Sequence, residues 1–209
     1  MDIAVVTGTD ARLFVNGGAR FTALAVDLPT GAEGLVAADM DNDGDVDLLS
    51  YGDHGIASAL SAAGQFSAPA QLSASPTRHL TVIDADADGR LDLVTPTALL
   101  WNRSPAGGSV RVNLAGLNSN PDGFGTRVEV KTARSRQVQE FRGGDSDPSV
   151  LHFGIGEEEL KIQVIDQGQV REGAESRRGW SLAIMRELMD EVEIASSDNG
   201  TTVTMVKRR

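Results

Sequence analysis

Short apolar runs set the rhythm of the first hundred residues. Ile3–Thr7, Arg12–Val15, Phe21–Val26 and Leu35–Ala38 are rich in apolar and β-branched side chains, and clusters of Gly, Asp and Ser separate them. Runs this short, bounded by turn formers, predict antiparallel strands joined by tight turns. The pattern then repeats. Asp2, Asp47 and Asp92 each open an apolar run ("DIAVV", "DLLSY", "DLVTP"), and the three are spaced 45 residues apart. Phe21 and Phe66 share that spacing, as do Asp39 and Asp84.

Four short strands in about 45 residues is the period of a β-propeller blade. The third unit stops near Trp101 and Asn102, and "RSPAGGS" follows as a linker. Residues 1–104 therefore predict about two and a half blades, fewer than the roughly four that closure needs. Open blade edges offer a route to self-association.

Downstream, "VRVNL", "TRVEVKT", "QVQEFRG" and "VLHFG" alternate as strands, with "NSNPDGFG" as the turn between the first two. They predict a small antiparallel β unit over residues 109–157. After Gly156 the pattern changes again. "EEELKIQVIDQG" reads as a strand, and Gln169–Arg178 is a polar stretch. Leu182, Met185, Leu188, Met189 and Val192 then recur at helical spacing, with Ser181 as the cap. "VEIASSDNGTTVTMVK" predicts a hairpin turning at "DNG". Residues 158–209 thus predict a β–loop–α–β–β segment. The expected fold class is mainly β with a C-terminal α+β segment.

Charge sharpens the picture. The 209 residues carry a formal net charge of -11, which argues against a nucleic-acid partner, since phosphate contacts dominate that affinity. The excess is local. Residues 1–104 hold 14 acids against 5 bases, and nine of the acids lie in two short stretches. There is no cysteine, so neither disulfides nor thiolate metal sites arise. No run of about 18 apolar residues predicts a membrane span. The N-terminus "MDIAVVTGTD" lacks the basic and long apolar regions of a signal peptide. The expected location is cytoplasmic for a complete chain, and extracellular or periplasmic for a piece of a secreted one.

The two acidic stretches are "DMDNDGDVD" and "DADADGRLD". A calcium ion takes about six to eight oxygens, and a short loop supplies them from positions 1, 3, 5, 7 (through its carbonyl) and 9, with glycine at position 6. The first stretch offers Asp39, Asp41, Asp43, Asp45 and Asp47 around Gly44. The second offers Asp84, Asp86, Asp88, Arg90 and Asp92 around Gly89. Position 7 needs only a carbonyl, so Arg90 is compatible there and the Asp45 side chain is replaceable. Position 12, where an EF-hand has Glu, is Ser50 or Thr95, and the flanks are strand-like. The spacing therefore predicts two calcium loops between strands. Magnesium fits less well, because it prefers a rigid octahedron with several waters.

On this "D-x-D-x-D-G-x-x-D-L" motif, residues 1–104 resemble FG-GAP/VCBS repeats, the calcium-binding propeller blades of integrins and many bacterial secreted proteins. The resemblance implies a binding or adhesion scaffold without catalysis, with a protein or carbohydrate partner. Ser119, Asn120, Asp122, Gly123, Gly125, Arg127, Val128, His152, Phe153, Gly154 and Gly156 make residues 109–157 similar to the ASPIC/UnbV domain, which commonly follows FG-GAP repeats. His152, His54 and His79 stand apart from one another in sequence, and no catalytic residue is assigned.

Residues 158–209 resemble the C-terminal half of the GHKL ATPase fold, closest to the serine-protein kinases that act as anti-sigma factors. "VIDQGQV" stands for the D-x-G-x-G box, "RRGWSLAIMRELMDEVEI" for the glycine box and its helix, and "NGTT" for the final strand turn. The resemblance implies nucleotide binding through Asp166, Gly168, Gly179 and Thr202, with ATP and Mg2+ as cofactors. Val170 and Ser181 stand where the family has glycines, and the upstream helix with the magnesium-binding Asn is missing. Kinase activity is therefore not expected. The joint near Glu157–Leu160 reads as a fusion of two families.

Overall fold

A computed structural model describes residues 2–7, 11–113, 125–141, 150–156, 160–166, 191–197 and 200–207. Among them every regular element is a β-strand, the sheets are small, and none closes into a barrel. The chain divides into two units, Met1–Ala106 and Gly107–Arg209.

The first unit is built from meanders. β1 (Ile3–Val6), β2 (Ala11–Asn16) and β3 (Phe21–Ala25) form one sheet. β4 (Ala32–Ala38), β5 (Asp47–Gly52) and β6 (Gly55–Ala59) form a second with β9 (Ala70–Ser73) at its edge. The short hairpin of β7 (Ser61–Ala62) and β8 (Gln65–Phe66) intervenes. β10 (Thr81–Ile83), β11 (Asp92–Val94) and β12 (Leu99–Leu100) form a third.

The 45-residue sequence period is also a period of strand register. Val36, Ala37 and Ala38 pair with Leu49, Leu48 and Asp47. Moved 45 residues on, each pair recurs as Thr81–Val94, Val82–Leu93 and Ile83–Asp92. Moved 45 back, Leu48–Ala59 and Leu49–Ser58 become Ile3–Phe14 and Ala4–Leu13. The third repeat keeps only the last three β4–β5 rungs and departs again after β11. Ala59 translates to Ser104, but Leu93 pairs with Leu100, so the β11–β12 turn is four residues tighter.

Side chains alternate across a strand, so neighbours on β5 serve opposite faces. Leu48 packs with Val26 and Ala59 against Ala4 and Leu13 of the first sheet. Leu49 packs with Met40 and Ile56 against Leu80, Leu91 and Leu93, at or beside the third sheet. The middle sheet is thereby covered on both faces, and β5 is buried along almost its whole length. With few aromatics, this core is built mostly from Leu, Val, Ile and Ala, with Met40 among them.

The second unit is two packed sheets. β13 (Gly108–Asn113) pairs with β16 (Val150–Gly156). The other sheet has the order β15 (Arg136–Glu140), β14 (Arg127–Lys131), β17 (Leu160–Asp166), β19 (Gly200–Lys207), β18 (Glu191–Ser197). Val128, Val130, Ile162 and Met205 of this sheet share a core with Leu151, Phe153 and Ile155 of β16, and with Phe141. On the opposite face of β14, Glu129 bonds Arg136 at 2.8 and 3.0 Å and Lys131 at 2.5 Å.

Three expectations change here. The strands flanking "NSNPDGFG" do not form a hairpin: β13 pairs with β16, and β14 with β15 and β17. The joint near residue 157 is not a break between folded parts. β14 lies before it and β17 after it, they are paired over five residues, and one core draws from both sides. Val192, the last helical position expected, lies in β18 opposite Met205. The rest of the predicted helix, with Ser181, Leu182, Met185, Leu188 and Met189, lies outside the described residues, and among the described residues this part of the chain is β only, not the expected α+β segment. The expected hairpin forms, with Ser197 opposite Gly200.

Candidate metal centre

Each acidic stretch is the connection of a β-hairpin. The first joins Ala38 to its partner Asp47, and the second joins Ile83 to Asp92. The loop turns inward because two of its residues take left-handed backbone: Asn42 (φ 58°) and Gly44 (φ 97°), matched by Ala87 (φ 60°) and Gly89 (φ 84°). Glycine adopts that conformation without steric cost, and asparagine tolerates it better than most residues.

With the backbone so curled, the carboxylates converge. Asp39, Asp41 and Asp43 can each place an oxygen within 4.8 Å of the others, and Asp84, Asp86 and Asp88 do the same. Backbone N–H groups hold them there, in one pattern made twice. Gly44 donates to Asp39 (3.0 Å) as Gly89 donates to Asp84 (3.2 Å). Asp43 donates to Asp41 and Asp88 to Asp86, both at 3.3 Å. Asp45 donates to Asp43 (2.8 Å) as Arg90 donates to Asp88 (2.9 Å).

Asp47 and Asp92, the ninth positions, stand outside these two clusters. Both are fully buried. Asp47 accepts from Met40 N and Ser61 N, each at 2.7 Å. Asp92 accepts from Ala85 N at 3.0 Å and Asn102 N at 2.8 Å. Each carboxylate closes its loop and ties it to the next strand connection. Asp45, expected to be replaceable, accepts from Ala63 N at 2.7 Å and so pins the loop to the β7–β8 turn.

The two clusters differ in their surroundings. In the first, burial comes first among the causes that push the Asp39 carboxyl up to about 7, with Asp47, Asp43 and Asp41 adding like charge. Burial also pushes Asp47 up to about 6 and raises Asp43. The second loop carries its own cations. Arg103 reaches Asp86 at 2.9 Å and Asp88 at 3.0 Å, and Arg90 reaches Asp88 at 2.9 Å. The backbone N–H of Arg90, then the two guanidinium charges, lower the Asp88 carboxyl. Trp101 lies under Arg103, 5.4 Å from ring centroid to guanidinium.

Several contributors are not marked by the metal-loop spacing. Asn42 Nδ2 donates to Gly89 O at 2.8 Å and links the first loop to the second. Asn102 Nδ2, just beyond β12, donates to Met40 O of the first loop at 2.9 Å. A polar residue at the left-handed fourth position was the one available signal, and Asn42 carries it where Ala87 does not. Ser50 Oγ lies 3.1 Å from His54 Nε2, but Ser50 is fully buried, so the pair braces the β5–β6 turn.

The donor set is carboxylate and carbonyl oxygen with no nitrogen or sulfur. That chemistry suits a hard divalent cation.

In the second unit, Ile165 is opposite Thr202 and Asp166 opposite Thr201. Alternation along the strands therefore puts the Asp166 and Thr202 positions one rung apart on opposite faces of the sheet. Gly168 and Gly179 lie outside the described residues. Among the described residues no helix is long and apolar enough to cross a membrane.

The first unit is thus a repeated β-meander with acidic hairpin loops. Residues 39–95 match the FG-GAP-like repeat family, and residues 129–207 match the histidine kinase-like ATPase domain. The second match begins within β14, so it takes in much of the stretch whose residues resemble an ASPIC/UnbV domain. No curated protein and no solved structure matches the chain.

Proposed function

We propose that the first unit is a calcium-binding β-repeat module of a binding or adhesion-type scaffold, with incomplete propeller-type blades and no catalytic role. The observation that carries this reading is the same carboxylate and N–H pattern built twice in one register. Asp39, Asp41, Asp43 and the Asp45 carbonyl would hold one ion. Asp84, Asp86, Asp88 and the Arg90 carbonyl would hold the other. Asp47 and Asp92 fix each loop and complete its oxygen shell. The ions would neutralise the carboxylates and pin the hairpins. The partner is a protein or carbohydrate, and the setting is extracellular or periplasmic where the module is part of a secreted protein. Thermal melts test it: a ligand bound only by the folded state raises the melting temperature. Calcium should raise it relative to excess chelator, and Asp43→Asn should remove part of that rise. Equal melts in calcium and chelator, for the parent and the variant, would sink the reading.

A second reading rests on the ATPase-domain match over residues 129–207. Under it the second unit binds a nucleotide in a regulatory protein related to the anti-sigma kinases, and the chain joins two families. Hydrolysis is not part of this reading, because no stretch of the sequence resembles the family's Asn-bearing helix. Millimolar ATP with magnesium should then shift the melt, and Asp166→Ala should abolish the shift. An unchanged parent melt counts against it.

A further inference from the structure

Among the described residues, the first and third sheets of the first unit each carry exposed apolar side chains on one face. Ile3, Phe14 and Ala23 oppose one another across β1, β2 and β3, as do Val5, Arg12 and Ala25, so all share one face. Phe21, opposite Asn16, lies at the end of the same face. Ile3 is 41% exposed, Val5 38% and Phe21 50%. Exposed apolar surface of this kind marks an interaction site when it is contiguous.

The repeat says what such a face packs against. Ile3 stands 45 residues before Leu48, and Leu48 is buried against the Ala4–Leu13 face of the first sheet. Leu93, 45 residues after Leu48, is buried with Leu49, the positional equivalent of Ala4. An Ile3-type face therefore packs on an Ala4-type face, and the chain makes that contact twice. One Ala4-type face remains: Thr81, Val94 and Leu99 share the outer side of the third sheet, and Leu99 is 40% exposed.

We propose that a second copy of this chain stacks head to tail, the Ile3 face of one copy on the Val94–Leu99 face of the other. The contact continues, in the same register, the stacking already established between the sheets within one chain. The occupant is a second copy because this chain itself carries the complementary face. Ile3 face on Ile3 face would set like side on like side, an arrangement found nowhere in the stack. Two different faces make a heterologous contact, which closes into a ring or propagates according to its rotation. It uses sheet faces and leaves the strand edges out.

Sedimentation of the full chain from micromolar to submillimolar concentration tests this, at fixed calcium. The parent should associate as concentration rises. Ile3→Lys alone and Leu99→Lys alone should each stay monomeric. Mixed in equal amounts they should form a one-to-one dimer and nothing larger, since each retains one good face. Matching melting curves for parent and variants keep misfolding out of the result. Where a curve falls, Phe21→Lys replaces Ile3→Lys. A parent that stays monomeric throughout overturns the proposal, as does a mixture that fails to pair.

Discussion

Asp43 and Asp88 occupy the same loop position and differ in what faces them. Arg90 and Arg103 lie against Asp88, whereas Asp43 meets Asp41 and Asp45. On the proposed reading the arginines would compete with a metal for the second cluster, so the first loop should be the tighter calcium site. Arg103→Ala is expected to tighten the second site by about 2- to 5-fold, the scale of an exposed ion pair. Calcium titration of that variant checks it, and a weaker or unchanged second site contradicts it. Acidity gives a further expectation. A carboxyl whose folded pKa lies above its unfolded value favours the fold while protonated. For Asp39 that contribution is complete below about 3.8 and lost as pH rises through about 7. In chelator the first unit should therefore lose stability between pH 4 and 7 on this account, and calcium should remove the loss. Glu129 works the other way. Hydrogen bonds from Arg136, then Lys131, hold its carboxyl down to about 2. Its contribution is present above about 4.5 and lost as pH falls through 2. Thermal melts across pH, with Glu129→Gln to mark the acid limb, separate the two windows.

At the scale of elements, β5 is the strand on which the first unit depends. Leu48 and Leu49 serve opposite cores, so one strand joins two sheet packings. Leu49→Ala leaves a cavity at a fully buried position and is expected to cost about 2–5 kcal/mol. Denaturant unfolding measures it, and a loss within about 0.5 kcal/mol, the surface range, would mean the sheets are not packed as described. These strands were legible in the sequence because their signals are local. Asp opens β5 and β11, Gly sits at the left-handed turn position, and the period of 45 fixes the register. β13 was harder. Its partner, β16, is distant in sequence: Val112 faces Leu151, and no turn signal links them. The "NSNPDGFG" stretch offered a nearer partner that the fold does not use. Likewise, the change of character after Gly156 is real in sequence, yet β14 and β17 pair across it. Alternation tells which face a residue takes, not which strand lies beside it. The cations at the second loop were equally hidden, since Arg103 reaches Asp86 from 17 residues away.

On the scale of the whole molecule, two units carry two different family matches, and each unit has its own core. The acidic loops belong to the first unit and are built as one device made twice. In the first loop Asp39 and Asp47 are too buried to ionise without cost, which is what a bound dication would relieve. Titration of calcium into the chelator-treated chain, followed by calorimetry, tests this most directly. The account predicts saturable binding to two inequivalent loops, with the tighter one lost in Asp43→Asn and the weaker one retained. Absence of binding at millimolar calcium, or identical isotherms for the parent and Asp43→Asn, would contradict it.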